Sequence, residues 1–386
     1  MFWIAVKMLM GDRGKYIAMV AGVFFSSLVI TQQASIFTGL MTRTFSFIND
    51  MRVAQIWVMD PEVQFIDDIK PLQSTQLFRV RGVEGVEWAM PLYKGLLKAR
   101  LDNGKFQSCN VIGIDDATLT GGPPVMLQGS IADLRRADGV IVDEVGARGK
   151  LAGPPKTPGG PRTPLQIGDI LELNDNRAVV VGIAKTTRTF QSQPIIYTTY
   201  SRATTFAPRE RRLLSFILVK ARAGVSETEL ISRINRQTGL AAYTGDEFKE
   251  LTVRYYIKNT GIPINFGIAV FLGFVVGAAI CGQSFYSFTA DNMRYFGTLR
   301  AMGATPGTLV KMLLLQALIV GLIGYGLGVG LASCTRFIAA NSELAFRLPW
   351  QLPLFTGVAV MLVCSIAALL SIRKVLTLEP AIVFKG

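Results

Sequence analysis

Runs without charge set the frame of this chain. None of residues 16–42, 259–290, 312–335 and 348–372 is Asp, Glu, Lys or Arg. Each run exceeds the roughly 20 residues that an α-helix needs to cross about 30 Å of hydrocarbon, so the pattern predicts four transmembrane helices. The first, YIAMVAGVFFSSLVITQQASIFTGLMT, follows Lys7, Arg13 and Lys15 as the core of a signal sequence would. Its apolar part is longer than the roughly 7–15 residues of such a core and reads as an uncleaved anchor.

Residues 43–258 follow a different period. AQIWVM reads as a buried strand and PLQSTQLFRVRGVEGV as a short helix ending at glycine. EWAMPLYKGLLKARLDNGKFQSCNVIGID alternates on both sides of Asn103-Gly104, a hairpin signal, and GDILELNDNRAVVVGIAK repeats this around Asn174-Asp175-Asn176. LAGPPKTPGGPRTPL (151–165) is too rich in Pro and Gly for a helix or a central strand, which leaves an exposed hairpin loop or a docking loop. LLSFILVKA reads as a strand. SETELISRINRQTG carries a capping box, Ser226 with Glu229. TGDEFKELTVRYYIKN predicts a helix capped by Thr244 or Asp246, running without a full break into the second spanning helix as a stalk. The whole insertion is a compact α+β domain.

Charge orients these parts. Lys7, Arg13 and Lys15, then Arg294, Arg300 and Lys311, then Arg373, Lys374 and Lys385 face only Asp12, Asp291 and Glu379 in the short segments they share. The positive-inside rule places those segments in the cytoplasm. The division is then a cytoplasmic segment 1–15, helix 1 at 16–42, an outside domain at 43–258, helix 2 at 259–290, a cytoplasmic segment 291–311, helix 3 at 312–335, a short outside loop 336–347, helix 4 at 348–372 and a cytoplasmic end 373–386. The net charge of +13 alone would suit nucleic acid, but four spanning segments with basic residues at their cytoplasmic ends argue against that reading.

Candidate chemistry is sparse. There is no histidine, which removes His-dependent triads and His-ligated metals. Cys281, Cys334 and Cys364 lie in apolar runs and Cys109 is alone in the outside domain, so no disulfide within that domain is expected. Asp67-Asp68 and Asp115-Asp116 are turn-type pairs without further oxygen ligands at fixed spacing, and no metal is expected. Ser371 to Lys374 matches Ser-x-x-Lys at a helix end where the cations serve as anchors. The Gly-Lys pairs at 14, 104 and 149 lack the rest of a Walker A loop, so any ATP must be held by another chain. No charge lies inside the four runs, which disfavours an ion-coupled carrier.

Two features carry the functional reading. Gly273 and Gly277, and the pairs Gly324/Gly328 and Gly326/Gly330, have small-xxx-small spacing, suited to packing within one four-helix unit or to a dimer seam. The second is RYFGTLRAMGATPGTLVK, Arg294 to Lys311, which is too polar to cross the membrane. Phe296, Leu299 and Met302 recur at steps of three and predict one apolar stripe, with Arg294 and Arg300 reaching water. Gly303 suits the left-handed residue that ends a helix, Thr305 caps the next one, and Pro306 takes its first position. Such an element lies on headgroups, connects two helices, or docks on a cytoplasmic partner; the spacing leaves the last two open.

FGTLRAMGATPGTLVKMLLLQALIVGLIGYGLG resembles the C-terminal region of the MacB/FtsX family of ABC transporter permeases, with Gly297, Ala301, Gly303 and Ala304 matching its Gly-x-x-x-Ala-x-Gly-Ala segment. RKVLTLEPAIVFKG resembles that family's ending, through Glu379-Pro380-Ala381. RTFQSQPIIYTTYSRATTFAPRERRLLSFILVK (188–220) and NTGIPINFGIAVFLGFVVGAAI look most like DevC-type permeases. The resemblance implies an α-helical membrane protein of the MacB-like, type VII ABC transporter fold, with four transmembrane helices and a large α+β periplasmic domain between helices 1 and 2. It implies a bacterial inner-membrane permease without catalysis of its own.

By the same resemblance Arg294, Tyr295, Phe296, Gly297, Leu299, Arg300, Met302 and Gly303 form a coupling helix on a separate ATP-binding subunit that holds ATP and magnesium. Two permease copies would pair with two ATPases, and the domain would meet a membrane-fusion adaptor leading to a TolC-like outer-membrane channel. The cargo would be a glycolipid, lipid, drug or peptide. Phe266, Phe271 and Phe274 would face it or lipid. Tyr295 stands where many relatives carry an acidic residue, which puts the charge contact with the ATPase in question or moves it to Asp291. Rival readings are an FtsX-like transmitter acting on a cell-wall hydrolase and a LolC/LolE-like lipoprotein-releasing permease.

Overall fold

The computed structural model describes residues 2–51, 53–101, 104–155, 160–208, 213–340 and 342–376. Outside them fall Asn103 of the first hairpin turn, part of the Pro/Gly-rich loop, part of the DevC-like 188–220 segment, and the ending with Glu379, Pro380, Ala381 and Lys385. Two compact units result, one of residues 1–40 and 260–386, the other of 41–259.

The chain opens with a helix that the sequence reading placed in a plain terminal segment, α1 (Phe2–Gly11). Asp12 breaks it from α2 (Arg13–Thr44), which is long and apolar enough to cross a membrane. A short α3 (Ser46–Asp50) leads into the second unit.

That unit is built on a ten-stranded sheet. In chain order its elements are β1 (Ile56–Met59), α4 (Ser74–Arg81), β2 (Val86–Arg100), β3 (Phe106–Ile114), β4 (Val125–Gln128), a 3₁₀ turn, β5 (Gly139–Asp143), α5 (Glu144–Arg148), β6 (Gly153–Pro155), β7 (Arg162–Thr163), β8 (Ile170–Leu173), β9 (Asn176–Lys185), β10 (Ile195–Thr199), α6 (Tyr200–Phe206), β11 (Phe216–Ala221), α7 (Glu227–Thr238), β12 (Ala241–Thr244) and α8 (Gly245–Asn259). Strands β2, β3, β10, β5, β9 and β8 each bond to the next, and β8 returns to β2, so they close a ring. Its interior holds Val111, Val142, Val180, Ile196 and the thiol of Cys109, which burial pushes up to about 12. The first half of β2 turns away to pair with β11, followed by β1 and β12. Both predicted hairpins form, β2 antiparallel to β3 and β8 to β9, although β3 is buried continuously from Cys109 to Ile114 rather than in alternation. The second is closed by Asn174 and Asp175, both at positive φ, between the paired residues Leu173 and Asn176. Part of the 151–165 stretch forms its own two-stranded ribbon, β6 with β7, off the main sheet.

Inside this unit the end of α2, α3 and α8 are tied to one loop. The Asp50 carboxylate accepts the backbone N–H and hydroxyl of Thr187, both at 2.8 Å, and Arg43 donates to the Ser192 hydroxyl at 3.4 Å. Phe190 of the same loop packs on Tyr256 of α8, with ring centroids 4.8 Å apart. Beside them Lys94, only 4% exposed, pairs with Asp67 and lies over the Phe47 ring at 5.9 Å.

Two local expectations need correction. Ser226 caps α7 without a side-chain bond; Glu229 pairs instead with Arg233 one turn on, so no capping box forms there. A capping box does close the start of α8, where the Glu247 carboxylate accepts the Thr244 N–H at 2.8 Å and the Thr244 hydroxyl accepts the Glu247 N–H at 3.2 Å. The stalk is also interrupted: α8 ends at Asn259, Thr260 and Gly261 are not helical, and the next helix, α9, spans Ile262–Asp291. Pro263 in its first turn explains why no helix passes through unbroken.

Three more helices complete the first unit: α10 (Met293–Ala301), α11 (Pro306–Ala340) and α12 (Gln351–Leu376). With α2, helices α9, α11 and α12 give four segments long and apolar enough to span a membrane. Helix α11 starts at Pro306, so residues 306–311, assigned by sequence to the connecting segment, are its first turns. Small residues set the packing. A Cβ on Gly324 would lie 2.7 Å from Val23 Cβ, one on Gly328 2.7 Å from Ser27 Cβ, and one on Gly273 2.9 Å from Val29 Cγ1. A Cβ on Gly277 would run into Ser26. All four glycines therefore seat α2 of their own chain, while Gly326 and Gly330 have nothing near. Hydroxyls add direction: Thr31 bonds Thr356 at 3.1 Å and Ser27 donates to the Tyr325 carbonyl at 3.2 Å.

Candidate functional site

The polar connector between α9 and α11 is an ordered helix with two unlike faces. Only Asn292 separates α10 from α9; its side-chain amide donates to the Phe288 carbonyl at 2.8 Å and its own carbonyl accepts the Phe296 N–H at 3.2 Å. The far end is closed by a Schellman turn. Ala304 N–H reaches the Leu299 carbonyl and Gly303 N–H the Arg300 carbonyl, each at 3.0 Å, with Gly303 at φ +96°. The hydrophobic contact of that motif is present too, since Leu299 and Ala304 share one cluster. Thr305 then caps α11, its hydroxyl 3.4 Å from the Thr308 N–H, and Pro306 takes the first helical position.

The sequence stripe Phe296, Leu299 and Met302 is divided by the fold. Phe296 and Leu299 are buried with Ala5 of α1 and Leu309, Met312 and Leu313 of α11. Gly297 is buried beside them. Phe296 and Leu299 face inward and root α10 in its own unit. The outward face carries Tyr295, 62% exposed, Thr298, and Met302, 70% exposed, at helical spacing of three and four. Arg294 and Gly303 are exposed and Arg300 half-buried.

Helix α1 is the part of this site that sequence reasoning passed over. Ala5 and Leu9 are buried, and the Ala5 carbonyl accepts the side-chain amide of the buried Gln316 of α11 at 2.8 Å. The four-residue step from Ala5 to Leu9 was the available signal. Lys15, at the start of α2, pairs with Asp12 at 3.1 Å and with Asp291 at the end of α9, so Asp291 is held within the unit. The glycines Gly273, Gly277, Gly324 and Gly328 lie away from this element, against α2. Of the candidate cargo aromatics, Phe271 is exposed, Phe266 packs on Phe37 at 5.6 Å, and Phe274 lies partly buried in the helix core.

Comparisons with known proteins match this architecture in two pieces. Residues 17–237 match the MacB-like periplasmic core domain, more than half of the chain, and residues 267–380 match the FtsX-like permease C-terminal region. The chain belongs to the MacB/FtsX permease family. An uncharacterized ABC transporter permease of Mycobacterium tuberculosis, found in two strains, is 23% identical over 221 residues, 57% of this permease. The chain spans 58% of the length of these curated relatives. Among solved structures, the periplasmic region of MacB from Actinobacillus actinomycetemcomitans is 16% identical, with 55% of this chain and 98% of that one covered and a TM-score of 0.37. The extracellular domain of the noncanonic ABC-type transporter YknZ from Gram-positive bacteria is 13% identical, with 50% and 98% covered and a TM-score of 0.34.

Proposed function

We propose that this permease is the transmembrane subunit of an ATP-driven tripartite exporter in a bacterial inner membrane, with both termini cytoplasmic and residues 41–259 periplasmic. Helix α10 is its coupling helix. The outward face of Tyr295, Thr298 and Met302 docks on a separate ATP-binding subunit, which holds ATP and magnesium. Two permease copies work together, and the α+β domain engages a membrane-fusion adaptor below a TolC-like channel. The cargo is an amphiphile of the kind moved by DevC- and MacB-type systems.

One observation supports this reading above the rest: α10 is rooted on one face through Phe296 and Leu299 and bare on the other at Tyr295 and Met302. It is joined to α9 through one residue and to α11 through a closed turn, so a push on the bare face reaches two spanning helices. A plain connector needs neither a rigid seat nor exposed apolar side chains. A thioether and a phenol on the bare face suit an apolar groove better than a basic one. The test is reconstitution with the cognate ATP-binding subunit. Met302→Asp is expected to abolish the permease's control of ATP hydrolysis while its melting temperature stays unchanged; hydrolysis responding as in the parent would overturn the assignment.

A further inference from the structure

A cleft of about 580 Å³ opens in the α+β unit between the 61–70 loop and the last two turns of α8. Its lining carries three cations, Lys70, Arg254 and Lys258, against one carboxylate, Glu62. Two tyrosines, Tyr243 and Tyr255, line the cleft, and Tyr255 is backed by further rings outside the lining. Tyr255 stacks on Phe65 with centroids 4.2 Å apart and planes 16° apart, and Tyr256 meets Phe65 edge-on at 5.6 Å. Two of these cations are only loosely engaged within the protein. Arg254 pairs with Glu250 at 2.6 Å, both side chains more than half exposed, and Lys70 stands 3.8 Å from Asp68. Exposed pairs of this kind are worth about 0–1 kcal/mol and give way to a better anion.

The depth of the cleft follows from the chain itself. Asn259, which lines it, precedes Ile262, the first residue of the spanning helix α9, by three residues. Three extended residues reach at most about 11 Å. A bilayer has about 30 Å of hydrocarbon in about 40–45 Å overall, so its phosphate layer lies about 5–8 Å beyond each hydrocarbon edge. Tyrosine and basic side chains are the residues that settle at that level.

We infer that this cleft binds the phosphate headgroup of a membrane lipid, with Arg254, Lys258 and Lys70 holding the phosphate and Tyr255 flooring the glycerol region. Anionic headgroups such as phosphatidylglycerol are preferred over zwitterionic ones, in which choline meets the same cations. The site rests only on α9 spanning the membrane, and not on the coupling role of α10, so each can fail without the other.

The test uses the full chain in nanodiscs containing a phosphatidylglycerol analogue with a photoreactive group next to its phosphate, followed by peptide mapping. Labelling is expected at 61–70 and 251–259. Arg254→Glu with Lys258→Glu is expected to lower it about tenfold while labelling of α9, α11 and α12 is unchanged. If that pair fails to fold, Lys70→Ala with Lys258→Ala is read for the same selective loss. Labelling that persists in the folded variant, equal labelling by the phosphatidylcholine analogue, or displacement by soluble glycerol 3-phosphate would each overturn the proposal, the last by showing a site for free phosphate.

Discussion

Truncating two neighbouring aromatic residues should have very unequal effects. Phe296 is wholly buried among Ala5, Leu309, Met312 and Leu313, so Phe296→Ala removes a ring from a packed site and leaves a cavity. Such changes cost about 3–5 kcal/mol. At about 1.4 kcal/mol per power of ten, local opening of α10 becomes more frequent by roughly two to three and a half powers of ten, limited above by the total opening energy of the helix. Tyr295 sits one residue earlier at 62% exposure, and Tyr295→Ala removes a ring that water already reaches. Its effect on opening should stay within about 0.5 kcal/mol. Amide hydrogen exchange of detergent-solubilised permease, resolved to the 293–302 peptide, separates the two. Equal exchange in Phe296→Ala and the parent, or acceleration by Tyr295→Ala as large as that by Phe296→Ala, would refute the claim that α10 is seated through one face only.

Three further outcomes follow from the packing and the charges. Gly277→Ala places a methyl group against Ser26 and is expected to lower stability by about 1–3 kcal/mol, whereas Gly330→Ala, with open space around it, should leave the melting temperature unchanged or slightly raised. Asp67→Ala leaves the buried Lys94 ammonium without its carboxylate and should cost about 3–5 kcal/mol in denaturant unfolding, with Lys94→Met in the same background recovering part of it. Asp143, whose carboxylate accepts the Gly146 and Ile195 N–H groups at 2.8 and 2.7 Å, is pushed above its ordinary 3.8 by burial, which outweighs those bonds. The folded state then holds its proton longer than the unfolded one. Its contribution is most favourable below 3.8 and is lost as pH rises through the folded value, and Asp143→Asn should flatten that part of the pH–stability curve.

What could be read before the structure, and what could not, divides along a physical line. Spanning helices declare themselves by length and by the absence of charge, and hairpins by a period of two with Asn-Asp at the turn, because these signals are local. The Schellman turn belongs with them: Gly303, Thr305 and Pro306 each state a backbone requirement that neighbouring residues cannot change. The direction in which a side chain points is not local. Phe296, Leu299 and Met302 share a spacing of three, yet the first two face α1 and α11 and the third faces out, since a step of 300° walks a stripe around the helix and the neighbours decide where it is cut. The ring of six strands was hidden for the same reason: its closure depends on β8 meeting both β9 and the far end of β2, a pairing across some 70 residues that no turn signal announces.

The same distinction gives Tyr295 a different weight. Read along the chain it is the place where a family carboxylate is missing, and Asp291 is the natural substitute. In the folded unit Asp291 is held by Lys15, so a charge there is already engaged within the membrane unit. Tyr295 instead stands with Met302 on the one apolar surface that α10 leaves uncovered. A contact built on those two side chains depends on buried area rather than on charge, and it should persist at high ionic strength, where an Asp–Arg contact would weaken. Measuring ATPase control by the permease across a salt titration decides between them: a steep loss with salt would return the coupling to charge and count against Tyr295 and Met302.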